Sequence, residues 1–354
     1  MHENPIFSES ALLLGATRIL EAAGVPSLKA QLVAESLVSA SLRGVDSHGV
    51  QLIPYYVAQL RAGNIVPAED GAVLSESSAC LIYDGRRGLG QAIADVCCGH
   101  AVRLAREHGL GLVVSRDSNH FGAAAFWGQR IAAHGMIGLI LCNASPSVAP
   151  WQGREGRIGT NPICMVLPSS GRGAWLLDMA TTTVAMNRII QASANGQPSI
   201  PAGWAMDSQG VPTTDTQAAM RGLLMPLGGY KGSGLGLMVE ILCGVLSGGA
   251  MSREIGGLHI LTRPMATSQS FLAVDIRRFL APEDFQKRME QLIAMVKSSA
   301  PAAGYDEVMV AGDPEWRSEA MRKAHGIPLK RGALERINAT ARELGIPEFE
   351  PLSL

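Results

Sequence analysis

Apolar residues recur three and four positions apart through the first sixty residues, which is the spacing of amphipathic helices. The pattern predicts three helices, over residues 8–23, 27–42 and 47–63. Gly24 and Gly63 end the first and the third of these stretches. The predicted third helix begins at Ser47, whose side chain suits an N-terminal cap, and carries His48 in its first turn.

Beyond this region, short apolar runs alternate with helical stretches, and the alternation predicts an α/β class. The predicted strands cover residues 79–83, 110–115, 137–142, 163–167, 175–178, 258–262 and 271–275. The predicted helices cover residues 90–108, a stretch ending near 134, one starting near 181, 228–248, 282–297, 315–325 and 332–344. We therefore expect a helical unit of residues 1–75, joined by residues 280–354, and a central α/β domain of residues 76–279.

Composition and charge indicate a globular protein that acts on small molecules. Of 354 residues 47% are hydrophobic, and the formal net charge of −1 gives no electrostatic reason to expect nucleic acid or a membrane surface as partner. No apolar stretch approaches the roughly 20 residues of a membrane span. The six cysteines lie mostly in apolar segments without metal-ligand spacing, and the N-terminus lacks an export pattern. We expect a cytoplasmic protein with reduced thiols and no metal site.

The stretch from Arg43 to Val50 places a carboxylate, a hydroxyl and an imidazole side by side, in Asp46, Ser47 and His48. Exposed amide groups at a helix start disfavour a charged imidazole, whereas a neighbouring carboxylate favours it. Histidine is the side chain best suited to exchange a proton near neutral pH. His48 is therefore a candidate proton donor, and a capped turn with an incidental histidine is the structural alternative.

Two glycine-rich stretches are candidate nucleotide-binding sites. Residues 85–90 follow a strand and open a helix, but they lack the third small residue and the later acidic residue of a Rossmann fingerprint. Residues 228–236 lack the order of a P-loop, yet Lys231 among glycines at a helix start suits an anion. Close packing of a helix start is the alternative explanation for both.

Three further polar stretches follow predicted strands, over residues 118–122, 159–162 and 178–182. Small-molecule sites of α/β proteins collect at strand ends, so their shared position favours one common site. Each stretch taken alone is also explained as a turn or a helix cap; Asp178, for example, could cap the following helix.

Together these stretches resemble the malate/L-lactate dehydrogenase family, which is unrelated to the Rossmann lactate dehydrogenases. Its members include ureidoglycolate, sulfolactate and 2,3-diketogulonate dehydrogenases and piperideine-2-carboxylate reductase. The resemblance covers nearly the whole chain. It rests on six segments in the same order, residues 43–50, 118–122, 157–162, 178–181, 228–234 and, more weakly, 311–313.

The resemblance implies hydride transfer between NAD or NADP and a small 2-oxo acid, 2-hydroxy acid or cyclic imino acid. It implies a homodimer with a non-Rossmann fold, in which a mixed, largely antiparallel sheet is flanked by helices and joined to a helical domain. By similarity His48 exchanges the proton with the substrate, Ser47 orients the His48 ring, and Thr160 contacts the substrate. The residues that line the cofactor by similarity are His120, Phe121, Gly122, Asp178, Met179, Ala180, Lys231 and Gly312.

This chain departs from its relatives at two places that concern the substrate. The family commonly has an arginine two residues after Val50, suited to a substrate carboxylate, where this chain has Leu52. Where many relatives have a small glycine and a lysine or aspartate, this chain has Met186, Asn187 and Arg188. We expect Asn187 and Arg188 to contact the substrate, with Arg188 replacing the missing charge.

Two other functions stay open at this point. A catalytically inactive relative that still binds NAD or NADP is compatible with Leu52. A hydrolase that uses Ser47 and His48 as a pair is the second alternative, although no G-x-S-x-G motif is present.

Overall fold

The computed structural model describes residues 4–168 and 175–352, so the first three residues of the N-terminus considered above lie outside it. The first half contains, in chain order, β1 Ile6–Phe7, α1 Glu9–Ala22, α2 Ser27–Leu42, α3 Ile53–Arg61, β2 Ala72–Ser77, β3 Cys80–Asp84, α4 Gly90–His108, β4 Leu110–Ser118, α5 Ala124–Ala132, β5 Met136–Cys142, β6 Ile163–Val166 and β7 Leu176–Met179.

The second half begins with a small α/β segment and ends in helices. Its elements are α6 Met186–Ala194, β8 Ala205–Met206, β9 Pro212–Thr213, α7 Thr216–Met220, β10 Leu223–Leu224, α8 Tyr230–Glu240, β11 Thr267–Asp275, α9 Pro282–Lys297, α10 Asp313–His325, β12 Ile327–Pro328 and α11 Arg331–Glu343. A π-helical turn, Ile241–Val245, continues α8.

A seven-stranded sheet in the order β2-β3-β4-β11-β5-β6-β7 forms the centre. Among its described strands only β3 and β4 pair in parallel, which confirms the mixed, largely antiparallel sheet. Neighbouring residues of β5 point to opposite faces, so Ile140 packs with α4 and α5 while Leu141 packs with α8 and its π-helical turn. Helices therefore cover both faces of the sheet.

The N-terminal helices share a hydrophobic core with the end of the chain. Leu12, Leu37 and Ile53 from α1, α2 and α3 lie in one buried cluster with Ile337 of α11 and Phe349. Strand β1 also pairs with β12 in an antiparallel ladder. By contrast, α9 buries none of its residues. The segment after α9 thus packs onto the N-terminal helices, while the boundaries of the two units stay a prediction.

Residues between β5 and α8 form a further small layer. Strands β8, β9 and β10 make a three-stranded antiparallel sheet, which packs with α6 and α7 around a separate apolar cluster. In the described part of the chain, no helix combines the length and the apolar character needed to cross a membrane.

The predicted start of the third helix, at Ser47, is wrong. Asp46–His48 and Val50–Leu52 form two 3-10 turns, and α3 begins only at Ile53. Gly49 has an extended backbone (φ −89°, ψ −162°), which breaks the helical path between the turns. Ser47 therefore does not cap a helix, and His48 lies in a 3-10 turn.

Two other expectations were also corrected. The helix placed near residue 181 begins at Met186, because residues 181–183 bond to the chain around residues 160 and 225–226. Residues 258–262 form turns and not a strand, and backbone carbonyls of this segment accept hydrogen bonds from the buried side chains of Gln59 and Asn64. The side chains of Gln59 and Asn64 thus bind the carbonyl groups that a neighbouring strand would bind in a sheet.

The first turn of α4 lies directly against the turn that carries His120. A Cβ atom on Gly90 would overlap the backbone carbonyl oxygens of Asn119 and His120, whereas one on Gly99, in the same helix, would meet nothing within 4 Å. Gly90, one of the glycines in the stretch of residues 85–90, thus permits two backbone segments to pack closely.

We predict that Gly90→Ala lowers the free energy of unfolding by about 1–3 kcal/mol, because overpacking must displace backbone. Gly99→Ala is the matched control and raises the free energy of unfolding by about 0.5–1 kcal/mol, as alanine does at exposed helix positions. Urea unfolding measures both values. Equal stability of the two variants would contradict the close approach at Gly90.

Candidate active site

The 3-10 turn that carries His48 is fixed by α2 and α10. The hydroxyl of Ser41 accepts a hydrogen bond from the Val50 amide at 3.1 Å. The Arg322 guanidinium forms an ion pair with Asp46 (2.5 Å) and also donates to the Ser41 carbonyl oxygen. Ser47 Oγ then lies 2.9 Å from Nδ1 of His48. The turn therefore holds the imidazole by one edge and leaves its Nε2 without a partner among the described residues.

A second imidazole lies against the first. The rings of His48 and His120 are stacked, with centroids 5.6 Å apart and planes inclined by 21°. His120 Nδ1 lies 2.6 Å from the hydroxyl of Tyr56 and accepts a hydrogen bond from the Gly122 amide at 3.3 Å. Both histidines are half-buried and so keep contact with solvent, and the surface around the pair is the candidate cleft.

Burial favours the neutral form of both imidazoles. Burial lowers the pKa of His48 below its usual 6.5. Burial, followed by the nearby His48 and His259, lowers the pKa of His120 to about 3. A neutral His48 is ready to accept a proton at neutral pH, while His120 holds no charge there.

Asp178 joins the end of β7 to the first turn of α5, just after the His120 turn. Its Oδ2 accepts a hydrogen bond from the Ala125 amide at 2.8 Å. Although the side chain keeps contact with solvent, the surrounding protein raises its pKa by desolvation, against the effects of that amide and of Arg43. The Asp178 carboxylate and the Arg43 guanidinium are therefore close enough to interact.

The guanidinium of Arg43 is almost fully buried, with 4% of the residue exposed. It lies over the ring of Trp316 in α10, 5.3 Å from the centroid. Its Nε and Nη2 atoms are enclosed without a hydrogen-bond partner in the part of the chain that the structure describes. An arginine cannot be neutralised by losing a proton, so this position favours a nearby negative charge.

The segments around Thr160, Asp178 and Lys231 are bonded to one another. The Thr160 carbonyl oxygen accepts from the amide and the hydroxyl of Thr181, at 2.9 and 3.0 Å. Asn161 donates to the Gly236 carbonyl oxygen and to Glu240 in α8. Lys231, in the first turn of α8, is exposed and has no ion-pair partner among residues 4–168 and 175–352. Its ammonium group is thus available to an anion.

Not every predicted site residue offers its side chain. Phe121 is buried between Trp127 and Phe271, so only its backbone borders the cleft. Met179 and Ala180 are half-buried at the end of β7, and Gly312 precedes α10 in a left-handed conformation (φ 98°). The Leu176 amide bonds to the Ala311 carbonyl oxygen, which places the Gly312 turn beside β7.

The expected substrate residues lie on α6. Arg188 is exposed and Asn187 half-buried, and neither has a side-chain bond to a described residue. Gln191, one turn further along, lines a cleft together with Asp46 and Gln51. The face of α6 is thus close to the His48 turn. Leu52 points the other way, into the helical core with 7% exposed.

Sequence reasoning missed two residues next to the imidazole pair. Tyr56 occupies an apolar position of α3 and is indistinguishable there from a core residue. Gln91 follows Gly90 inside α4 and is fully buried, and only a polar residue amid apolar neighbours could have drawn attention to it.

The chain matches the malate/L-lactate dehydrogenase family model over residues 7–338. It is 35% identical to a malate dehydrogenase of Pyrococcus horikoshii, covering 93% of this chain and 92% of that protein. It is 33% identical to an L-sulfolactate dehydrogenase of Methanocaldococcus jannaschii, covering 93% and 94%. The solved delta1-piperideine-2-carboxylate reductase of Pseudomonas syringae superposes with a TM-score of 0.84 at 29% identity, covering 95% and 99%.

The fold and these similarities define an oxidoreductase. The chain belongs to the malate/L-lactate dehydrogenase family.

Proposed function

We propose that the protein is an NAD- or NADP-dependent oxidoreductase that interconverts a small 2-hydroxy acid and its 2-oxo acid, or reduces a cyclic imino acid. The observation that supports it is the stacked histidine pair, in which His48 is neutral and oriented by Ser47. The names of the relatives agree with substrates of this size and charge.

In this proposal the cofactor is a nicotinamide dinucleotide. Such a molecule carries a negatively charged pyrophosphate, which suits the exposed ammonium group of Lys231. In this proposal the turn His120–Gly122, the strand end Asp178–Ala180 and the Gly312 turn line the same groove. When bound, the cofactor gives or takes a hydride at the substrate carbon.

His48 supplies the proton chemistry in the proposed reaction. When a hydride reaches the carbonyl carbon, negative charge develops on the oxygen, so in this direction His48 first takes up a proton from solvent and then donates it to that oxygen. In the reverse direction, neutral His48 accepts the hydroxyl proton at Nε2 while Ser47 holds the opposite edge of the ring. In this proposal Thr160 contacts the substrate from one side, and Asn187 and Arg188 of α6 contact it from another.

Two observations favour other functions strongly enough to be tested. Leu52 is buried in the core, so position 52 offers no charge to a substrate carboxylate, as in an inactive relative that only binds the cofactor. The Ser47 hydroxyl does contact His48, which is the first requirement of a Ser-His hydrolase. The experiments below separate both from a dehydrogenase.

We also propose a homodimer in the cytoplasm. All six cysteines are free thiols, and five are buried, which fits a reducing compartment. The helix α8 and the helical turns that continue it expose several apolar side chains in the single chain. Between 38 and 54% of each is exposed, for Leu237, Met238, Ile241, Val245 and Leu246. A second copy would cover this face.

We predict that the rate of oxidation of the best 2-hydroxy acid depends on the fraction of His48 that is neutral. Because the pKa of His48 is lowered below 6.5, kcat/KM stays level at neutral pH and falls only under more acidic conditions. His48→Gln lowers kcat by about 100-fold to 10,000-fold. His134→Gln, at an exposed histidine, is the control. Nicotinamide absorbance with NAD and NADP and a panel of hydroxy, oxo and cyclic imino acids measures the rates.

The outcomes separate the three functions. Full turnover by His48→Gln would disprove the proton role. Fluorescence titration that shows no binding of NADH or NADPH would refute the dehydrogenase. Binding without turnover of any compound would identify the inactive relative, and ester hydrolysis lost in Ser47→Ala would identify a hydrolase.

We predict that Arg188→Ala raises the KM of the 2-oxo acid by about 10-fold to 100-fold, because it removes a charge-assisted hydrogen bond of about 1.5–3 kcal/mol to the carboxylate. Arg61→Ala is the control, since Arg61 is paired with Glu343 far along the chain. Initial rates against substrate concentration give KM. An unchanged KM in Arg188→Ala would remove Arg188 from the substrate site.

We predict that Ile241→Glu converts a dimer into a monomer, because a buried unpaired carboxylate is costly at an apolar interface. Leu28→Glu, at an isolated exposed leucine, leaves the mass unchanged. Light scattering after size-exclusion chromatography gives the mass. A wild-type monomer, or a dimeric Ile241→Glu variant, would contradict the proposed interface.

A further inference from the structure

A chain of hydrogen bonds leads from the protein interior to the imidazole pair. Gln91 in α4 is fully buried, and Tyr56 in α3 is 1% exposed. Gln91 Nε2 lies 2.8 Å from the Tyr56 hydroxyl, which lies 2.6 Å from Nδ1 of His120. Two successive hydrogen bonds thus link α4, α3 and the turn after β4, and the second ends at Nδ1 of His120.

The backbone fixes the direction of these hydrogen bonds. The Gly122 amide approaches Nδ1 of His120 at 3.3 Å, and a backbone N–H can only donate. Nδ1 must therefore present its lone pair. It follows that the Tyr56 hydroxyl, which has one hydrogen, donates it to Nδ1, and that its oxygen accepts from Gln91. A neutral imidazole with a lone pair on Nδ1 carries its hydrogen on Nε2.

We infer that Tyr56, supported by Gln91, is a positioning residue that holds His120 as the neutral Nε2–H tautomer, so that the stacked pair contains one proton-exchanging ring and one fixed donor. Nε2 of His120 has no partner among the described residues and is not enclosed by them. It offers an N–H to an oxygen atom of the bound substrate. That His120 donates to the substrate rests on the proposed function, whereas its tautomer does not.

The arrangement prevents the two rings from competing for one proton. A positive charge on one stacked imidazole disfavours a second charge on its neighbour. Two donors on Nδ1 stabilise neutral His120, and the titratable groups that face it are His48, Tyr56 and His259. With His120 kept neutral, His48 takes up and releases its proton beside an uncharged ring.

The tautomer is measured directly by two-bond proton-nitrogen correlation spectra of the full-length protein labelled with 15N-histidine, with His120 assigned through His120→Asn. We expect wild-type His120 to show Nε2–H from pH 5 to pH 8. Tyr56→Phe removes the short donor at 2.6 Å and leaves only the longer contact of the Gly122 amide at 3.3 Å. We therefore expect the Nδ1–H tautomer to appear beside the Nε2–H form, and the pKa of His120 to rise by about one unit or more. Gln91→Met gives a smaller change of the same kind.

Tyr55→Phe is the matched control, because the ring of Tyr55 packs on His259 at 4.4 Å and not on His120. It leaves the His120 signals unchanged. In turnover assays Tyr56→Phe lowers kcat by about 10-fold with a smaller change in KM, because one hydrogen bond that positions His120 is lost.

A wild-type His120 with its hydrogen on Nδ1 would overturn the inference, and the wild-type spectrum decides this even if a variant fails to fold. Wild-type-like tautomer and titration in folded Tyr56→Phe would overturn it as well. If neither the wild type nor any variant turned over a substrate but the spectra were as expected, the proposed function would be refuted and the inferred tautomer of His120 would be supported.

Discussion

The close contact between the start of α4 and the turn after β4 is the constraint on which the candidate site depends. Backbone meets backbone at Gly90, and Asn119 donates to two carbonyl oxygens of the preceding loop, those of Arg87 and Gly88. This contact fixes His120 relative to Gln91, the next residue of α4. Because Tyr56 bonds to both, the contact also sets how α3 and the His48 turn approach the sheet.

Features that depend on local sequence were predictable. The predicted helices over residues 90–108 and 282–297 match the observed ones, because each has a local signal at one end. Gly109 adopts a left-handed conformation (φ 91°), and Pro282 occupies the first turn of its helix. The α/β class followed from alternation, which is likewise a local property.

Features that depend on distant partners were not predictable. The hydroxyl of Ser47 was free to cap a helix or to bind its neighbour, and the extended backbone of Gly49 decided for the neighbour. The stacking of His48 on His120 joins residues 72 positions apart, and no periodicity indicates it. The resemblance to a family supplied their shared site, but not the hydrogen bonds of Tyr56 and Gln91.

The helix α10 has a consequence for how the two sides of the cleft can move. Gly312 immediately precedes it beside β7, and Arg322, ten residues later, holds Asp46 in the turn of His48. Ten residues of α-helix form a rigid rod of about 15 Å. The rod therefore links the chain at Gly312 to Arg322 and, through the ion pair with Asp46, to the 3-10 turn of His48, so that a displacement on one side is passed to the other.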